Sequence, residues 1–197
     1  MSTSNIADEI IKGIWIGNQD SSIDTNFIYK NKITAIVNCT PSLPNKFKNL
    51  GIKYIRVPVD DSLKMTDINN MTCYLPFIIQ NIYKLHFQER RNVLIHCHAG
   101  MQRSTVVVAA YLVQYGNMTP KQAVKYIIQR RPIAFHNGAN INFERSLLSY
   151  FKNMKKCTPV SQSATVSPFI APQSGPSSYL PKPLKHPKPA SNLFKIN

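Results

Sequence analysis

Four short runs of apolar, mostly β-branched residues are each bounded by glycine, asparagine, proline or charge: Ile10 to Gly17, Ile33 to Asn38, Ile52 to Val57 and Val93 to His96. Their length and composition predict strands. Between the third and fourth, Ile68, Met71, Leu75, Ile78, Ile82 and Leu85 recur at steps of three and four, which is one face of a helix, with a kink expected at Pro76. Beyond the fourth run the pattern is helical. Ser104 to Tyr115 reads as a buried helix, and Thr119-Pro120-Lys121-Gln122 supplies an N-cap, a first-turn proline and a capping-box glutamine for the next. That helix would turn Ala123, Val124, Ile127 and Ile128 inward, and a last helix is expected from Ile141 to Met154. Strands separated by crossover helices predict an α/β domain with a mostly parallel central sheet flanked by helices on both faces. No internal repeat is present at any period.

The chain of 197 residues is 43% hydrophobic, enough for one domain with a real core. Residues 1–154 are expected to form that domain and 155–197 a disordered basic tail. The tail expectation rests on composition: residues 158–190 hold eight of the fourteen prolines, interleaved with serine, and cannot build a packed core. No two prolines there are three apart, which argues against a ligand for a proline-recognition groove. The net charge of +15 points to anionic partners, and +7 of it lies in residues 152–197, which contain no acid. The tail would thus be able to tether the chain electrostatically to an acidic surface. No apolar run approaches the roughly 20 residues of a membrane span, and the first residues lack a signal pattern, so a soluble intracellular protein is expected. Cys39, Cys73, Cys97 and Cys157 fall at irregular spacings that suit neither a disulfide framework nor a metal site. Cys39, Cys73 and Cys157 read as core residues.

The chemistry concentrates in Val93-Leu94-Ile95-His96-Cys97-His98-Ala99-Gly100-Met101-Gln102-Arg103-Ser104, an apolar strand entering a short loop and then an apolar helix. Loops at the carboxyl ends of strands in open α/β sheets bind ligands. Successive amides at a helix N-terminus converge on one concavity and, with the helix dipole, make a site for a tetrahedral dianion. The same field favours the thiolate of a cysteine at its mouth, so Cys97 reads as a nucleophile. Arg103 brings a planar fork able to hold two phosphate oxygens.

His96-Cys97-His98-Ala99-Gly100-Met101-Gln102-Arg103-Ser104 resembles the signature of dual-specificity phosphatases of the protein tyrosine phosphatase superfamily. The resemblance spans about residues 9–151: Ile14 to Asn18 and Ile33 to Asn38 are similar to the family's first two strands, and Arg130-Arg131-Pro132 to a pair before its last helix. It implies a protein phosphatase in which Cys97 forms a phosphocysteine while Arg103 and the amides of His98, Ala99, Gly100, Met101 and Gln102 bind phosphate. Pro58-Val59-Asp60-Asp61-Ser62 resembles the general-acid loop, with Asp61 the better aligned and Asp60 in reserve. Ser104 resembles the hydroxyl that helps the sulfur leave, and His96 a residue that orients the loop. Asn38 matches either a buried loop-supporting asparagine or an ordinary turn residue. No cofactor or metal is implied, because arginine and amides carry the charge.

This chain departs from the pattern at Gln102, where many relatives have serine, and at Met101, which replaces an aromatic that some relatives place at the pocket wall. Both leave substrate preference open. The stretch Pro132 to Phe143 fits the family only with about three extra residues, so either Asn137 or Asn140 could match its asparagine. Phosphorylated proteins are the expected partners. An RNA 5′-phosphatase of the same superfamily is the runner-up on charge, although those relatives carry His-Gly and Arg-Thr where this chain has Ala99-Gly100 and Arg103-Ser104, so nucleic acid is not favoured. A phosphoinositide phosphatase would want lysines within the loop, and a phosphate-binding scaffold would be expected to have lost the cysteine, the arginine or the acid.

Overall fold

A computed structural model of the chain describes residues 5–62, 64–135 and 143–156. The Pro/Ser-rich tail from residue 157, Cys157, and both candidate asparagines Asn137 and Asn140 lie outside them. The described residues form a five-stranded sheet, β1 (Ala7–Ile11), β2 (Ile14–Gly17), β3 (Ile33–Asn38), β4 (Lys53–Arg56) and β5 (Asn92–His96), in the order β1-β2-β5-β3-β4. β2, β5, β3 and β4 are parallel, and β1 is antiparallel to β2 at one edge. The mostly parallel sheet is as expected.

One correction is local. The run Ile10 to Gly17 is a hairpin of two strands rather than one, because Gly13 takes φ +81° and its amide donates to Glu9 Oε1 at 2.7 Å. A turn of only Lys12-Gly13 leaves hardly any break in the apolar pattern, so periodicity alone merged the pair.

The strands alternate between two cores, as the two-residue side-chain period of a strand requires. Ile14, Ile16, Ala35, Val37, Val93 and Ile95 face the main core, and Ile33, Ile36 and Leu94 face a smaller one with Ile28 and Phe47. The helices are α1 (Thr25–Lys30), α2 (Met65–Tyr83), α3 (Arg103–Tyr115), α4 (Pro120–Arg130) and α5 (Glu144–Lys156). Helices do cover both faces, unequally: α2 to α5 enclose the main core, and among the described residues short α1 is the α-helix that backs the other. α1 has too few residues to show a periodic face and was invisible in the pattern, although Asp24 caps it through the Phe27 amide at 3.1 Å.

α3 is buried on nearly every side from Arg103 to Val113, so its sequence is apolar throughout rather than amphipathic. α2 runs unbroken through Pro76, whose ring lies on the exposed side. The capping box of α4 forms as expected between Thr119 and Gln122. Ile128, expected inward, is instead 39% exposed, because only Ala123 and Ile127 of that helix reach the core fully. Cys73, expected in the core, stands exposed on α2, off the face made by Ile68, Met71, Leu75, Ile78 and Ile82.

Candidate active site

β5 is the central strand, and its end is level with the ends of β2 and β3, since His96 pairs with both Gly17 and Asn38. Residue 97 therefore leaves the middle of the sheet at the point where neighbouring chains run off to either side, the usual position of a ligand crevice. The next residues turn through a tight loop into α3, which begins at Arg103.

The loop is held from behind by its carbonyls. Gln19 donates its amide to the His98 carbonyl at 2.9 Å and Phe135 to the Met101 carbonyl at 2.8 Å. Arg131, 1% exposed, donates Nε to the Gly100 carbonyl at 2.8 Å and Nη2 to the Ala99 carbonyl at 3.4 Å. Its remaining nitrogen is pinned by Asp8 at 2.6 Å. In a planar trans peptide the N–H points opposite the carbonyl, so four carbonyls drawn backwards turn the amides of Ala99, Gly100, Met101 and Gln102 forward. An anion cradle follows from that arrangement together with the start of α3.

Gly100 takes φ +67°, and a Cβ on it would lie 2.6 Å from Arg131 Nη2 and 2.7 Å from the Gly17 carbonyl. Gly100→Ala must therefore displace both the arginine and the strand end. A loss of about 2–4 kcal/mol in urea unfolding is expected, together with weaker binding of vanadate or phosphate. A variant as stable and as tight-binding as the parent would show that the cradle is not built on this contact.

Cys97 is 1% exposed, with its Sγ 3.3 Å from Ser104 Oγ on the first turn of α3. Arg103 is 3% exposed; Nη1 donates to the Val59 carbonyl at 3.0 Å and Nη2 to Asp61 Oδ2 at 3.1 Å, while Nε is buried without a protein partner among the described residues. Asp60 points into solvent at the rim. An open cleft of about 580 Å³ is lined by Thr40, Pro41, Asp60, Asp61, Lys64, His98 and Arg103, among others. Cys97 does not itself line this cleft; the loop that springs from it does, through His98 and Arg103.

The structure also places residues whose roles were open. Asn38 is fully buried, donates to the Leu43 carbonyl and Asn45 Oδ1 at 2.9 Å each, and accepts from Thr40 Oγ1 at 2.7 Å. These bonds brace the connection after β3, from Thr40 to Asn45, rather than the loop after Cys97, and Arg56 finishes the same connection by donating to the carbonyls of Thr40 and Leu43. Gln102 turns inward, accepting the Phe143 amide at 3.3 Å, so it braces the start of α5 and does not face substrate. Cys39 is fully buried beside the loop, its thiol pushed up by burial, further by the nearby Cys97, with Arg103 opposing.

His96 is fully buried, neither ring nitrogen has a side-chain or backbone acceptor or donor among the described residues, and burial holds its pKa down to about 4. A histidine that stays neutral in the fold but protonates near 6.5 when unfolded takes up its proton only in the unfolded state between those values. Stability therefore falls as the pH drops from about 7 to about 4, by about 3 kcal/mol from this residue. His86, also lowered by burial, acts in the same direction. Comparing His96→Asn with the parent in urea unfolding at several pH values isolates the contribution; an unchanged slope would dismiss it.

Arg131, Asp8, Gln19 and Phe135 escaped the sequence reading. Only the Arg130-Arg131 pair gave a signal, and nothing in it separated the buried brace from Arg130, which lies 3.5 Å over the Tyr126 ring. Among the described residues no cluster of histidine, cysteine or carboxylate could hold a metal, and no helix is long and apolar enough to cross a membrane.

The model of the dual specificity phosphatase catalytic domain matches residues 14–153. The chain belongs to the dual-specificity phosphatase family. Among curated relatives of this family, the Drosophila melanogaster dual specificity protein phosphatase Mpk3 is 33% identical over 153 residues, covering 75% of this chain and 34% of the relative. Human dual specificity protein phosphatase 26 is 28% identical over 156 residues, covering 77% of this chain and 70% of the relative. The chain thus spans about a third of the fly protein's length. The dual-specificity fold is shared with the crystal structure of human DUSP28, at TM-score 0.66 and 18% identity over 78% of this chain and 97% of that one.

Proposed function

We propose that the domain hydrolyses phosphate monoesters on tyrosine and on serine or threonine of proteins, through a phosphocysteine on Cys97. The observation that carries this reading is the loop whose four carbonyls are drawn backwards between Cys97 and Arg103, which makes a dianion cradle with a nucleophile at one end and a guanidinium at the other.

Phosphate oxygens take the loop amides and Arg103, whose Nη2 is held by Asp61 in the free site. Sγ of Cys97 attacks phosphorus in line as the bond to the leaving oxygen breaks, and Asp61, displaced from the arginine by the phosphate and protonated from solvent, gives that oxygen its proton. Water then attacks the phosphocysteine and Asp61 takes its proton back. The sulfur leaves with the Ser104 hydroxyl, 3.3 Å away, donating to it. Arg103 and the amides stabilise charge throughout without moving. The open cleft, rimmed by short side chains such as Thr40, Pro41 and Ser42, leaves room for both aryl and alkyl esters.

The rim gives RNA no continuous basic track, since Asp60 and Asp67 stand beside Lys64. The deciding experiment compares kcat/KM on matched phosphotyrosine and phosphothreonine peptides and on 5′-triphosphorylated RNA. Turnover of both peptides is expected. Preference for RNA would replace the reading by the RNA phosphatase, and tight peptide binding without turnover would leave a phosphate-binding scaffold.

Asp61→Asn should cut kcat about 100-fold on phosphothreonine peptide, whose alkoxide needs a proton, and much less on an aryl phosphate with a good leaving group. Asp60→Asn should change either rate only slightly. Unaltered phosphothreonine turnover by Asp61→Asn would take the acid role away from it.

A further inference from the structure

The parallel strands give the sheet two ends of unlike charge, about 15–20 Å apart by strand length. In the cleft where the strands finish, Asp60, Asp61 and Asp67 offset Lys64 and Arg103. Where they begin, cations gather: Lys12 precedes β2, Lys30 and Lys32 precede β3, Lys53 opens β4, and Arg90 and Arg91 precede β5.

Hydrogen bonds join these strand starts into one surface. His86 Nε2 pairs with the Lys12 carbonyl at 2.9 Å, and Asn92 donates to the Asn31 carbonyl at 2.8 Å. Lys53 and Arg91 share Glu89, each at 2.7 Å, and hold its carboxyl down to about 2. Among the described residues Lys12, Lys30 and Lys32 form no ion pair. Two large apolar side chains stand in solvent on the same surface, Tyr29 at 70% and Leu50 at 64% exposure. Both line a cleft of about 300 Å³ walled by Ile28, Ile33, Phe47 and Ile52 together with Lys32 and Arg91.

We propose that this end of the domain docks on an anionic lipid bilayer. The lysines and arginines meet the headgroups while Tyr29 and Leu50 enter the boundary with the acyl chains, and the catalytic cleft faces away from the membrane. Cations alone would suit any polyanion, and it is the apolar pair that selects lipid. An aliphatic side chain such as Leu50 neither stacks on a base nor binds phosphate, but it gains by leaving water for the bilayer interface, where tyrosine also prefers to sit. None of these residues touches the catalytic cleft, so the proposal stands apart from the phosphatase reading.

Sedimentation of the full chain with phosphatidylcholine vesicles, with and without phosphatidylserine, tests it. Binding to the anionic vesicles is expected, and Lys30→Glu with Lys32→Glu should weaken it at least about 25-fold, at about fivefold per cation lost. Leu50→Ala should weaken it several-fold at low and high salt alike, and hydrolysis of a small aryl phosphate should be unchanged in both variants. Binding that survives these substitutions would assign recruitment to the lysine-rich tail, which every variant retains, and would overturn the proposal. RNA binding that falls with the lysine reversals but not with Leu50→Ala, without vesicle binding, would overturn it in favour of nucleic acid.

Discussion

Cys97→Ser is expected to lower phosphate release from phosphopeptides by about 10⁴-fold or more while leaving peptide binding within a few-fold of the parent. The substitution exchanges sulfur for oxygen at a site that is 1% exposed and changes little else. On the same reading binding rests on the amides of the loop and on Arg103, and the loop is positioned by Arg131, Gln19 and Phe135 rather than by the sulfur. On the proposed mechanism the chemistry rests on the sulfur, because a serine hydroxyl at neutral pH is a poor nucleophile without an adjacent base, and among the described residues the one hydrogen-bond partner of Sγ is the Ser104 hydroxyl. Removing a nucleophile elsewhere costs rates of this order. Kinetics and titration calorimetry on the same preparation separate the two effects. A variant retaining a tenth of the parental kcat would mean that water attacks phosphorus directly and that no phosphocysteine forms.

How much of this was legible in the chain depends on whether a residue acts through its own pattern or through a partner distant in sequence. β5, the loop and α3 form one continuous stretch, so His96 to Ser104 announced both their secondary structure and their chemistry. The helices α2 and α4 declared themselves through periodicity and, for α4, a capping box. The brace behind the loop left no such trace. Arg131 acts on Gly100 from 31 positions away, and Asp8 acts on Arg131 from 123 away. Neither separation carries a local signature. Spacing could not separate Asp61 from Asp60; in the fold it is Asp61 that pairs with Arg103, which is why the proposed acid role goes to it. Gln102 misled for the same reason: its place in the signature implied a view of substrate, yet its side chain turns to the Phe143 amide. The basic end of the sheet was equally hidden, since its cations come from four separate strand starts and meet only after parallel pairing aligns them.

Arg103→Lys should lower kcat about 100- to 1,000-fold with a smaller rise in KM, although the charge is kept. A guanidinium offers a planar fork, and in the free protein that fork is divided between the Val59 carbonyl at 3.0 Å and Asp61 Oδ2 at 3.1 Å, with Nε left over as a buried donor. A lysine presents one ammonium on a flexible stem and cannot meet two equatorial oxygens in plane. Losing one preorganised donor to a developing charge typically costs the factor given above. The substitution also frees the Val59–Asp61 segment, because the same side chain joins the phosphate cradle to the acid loop across 44 and 42 positions of sequence. The loss should therefore be larger on phosphothreonine peptide, which needs the acid, than on an aryl phosphate with a good leaving group. Equal losses on the two substrates would confine Arg103 to phosphate binding, and Arg103 would then play no part in placing Asp61.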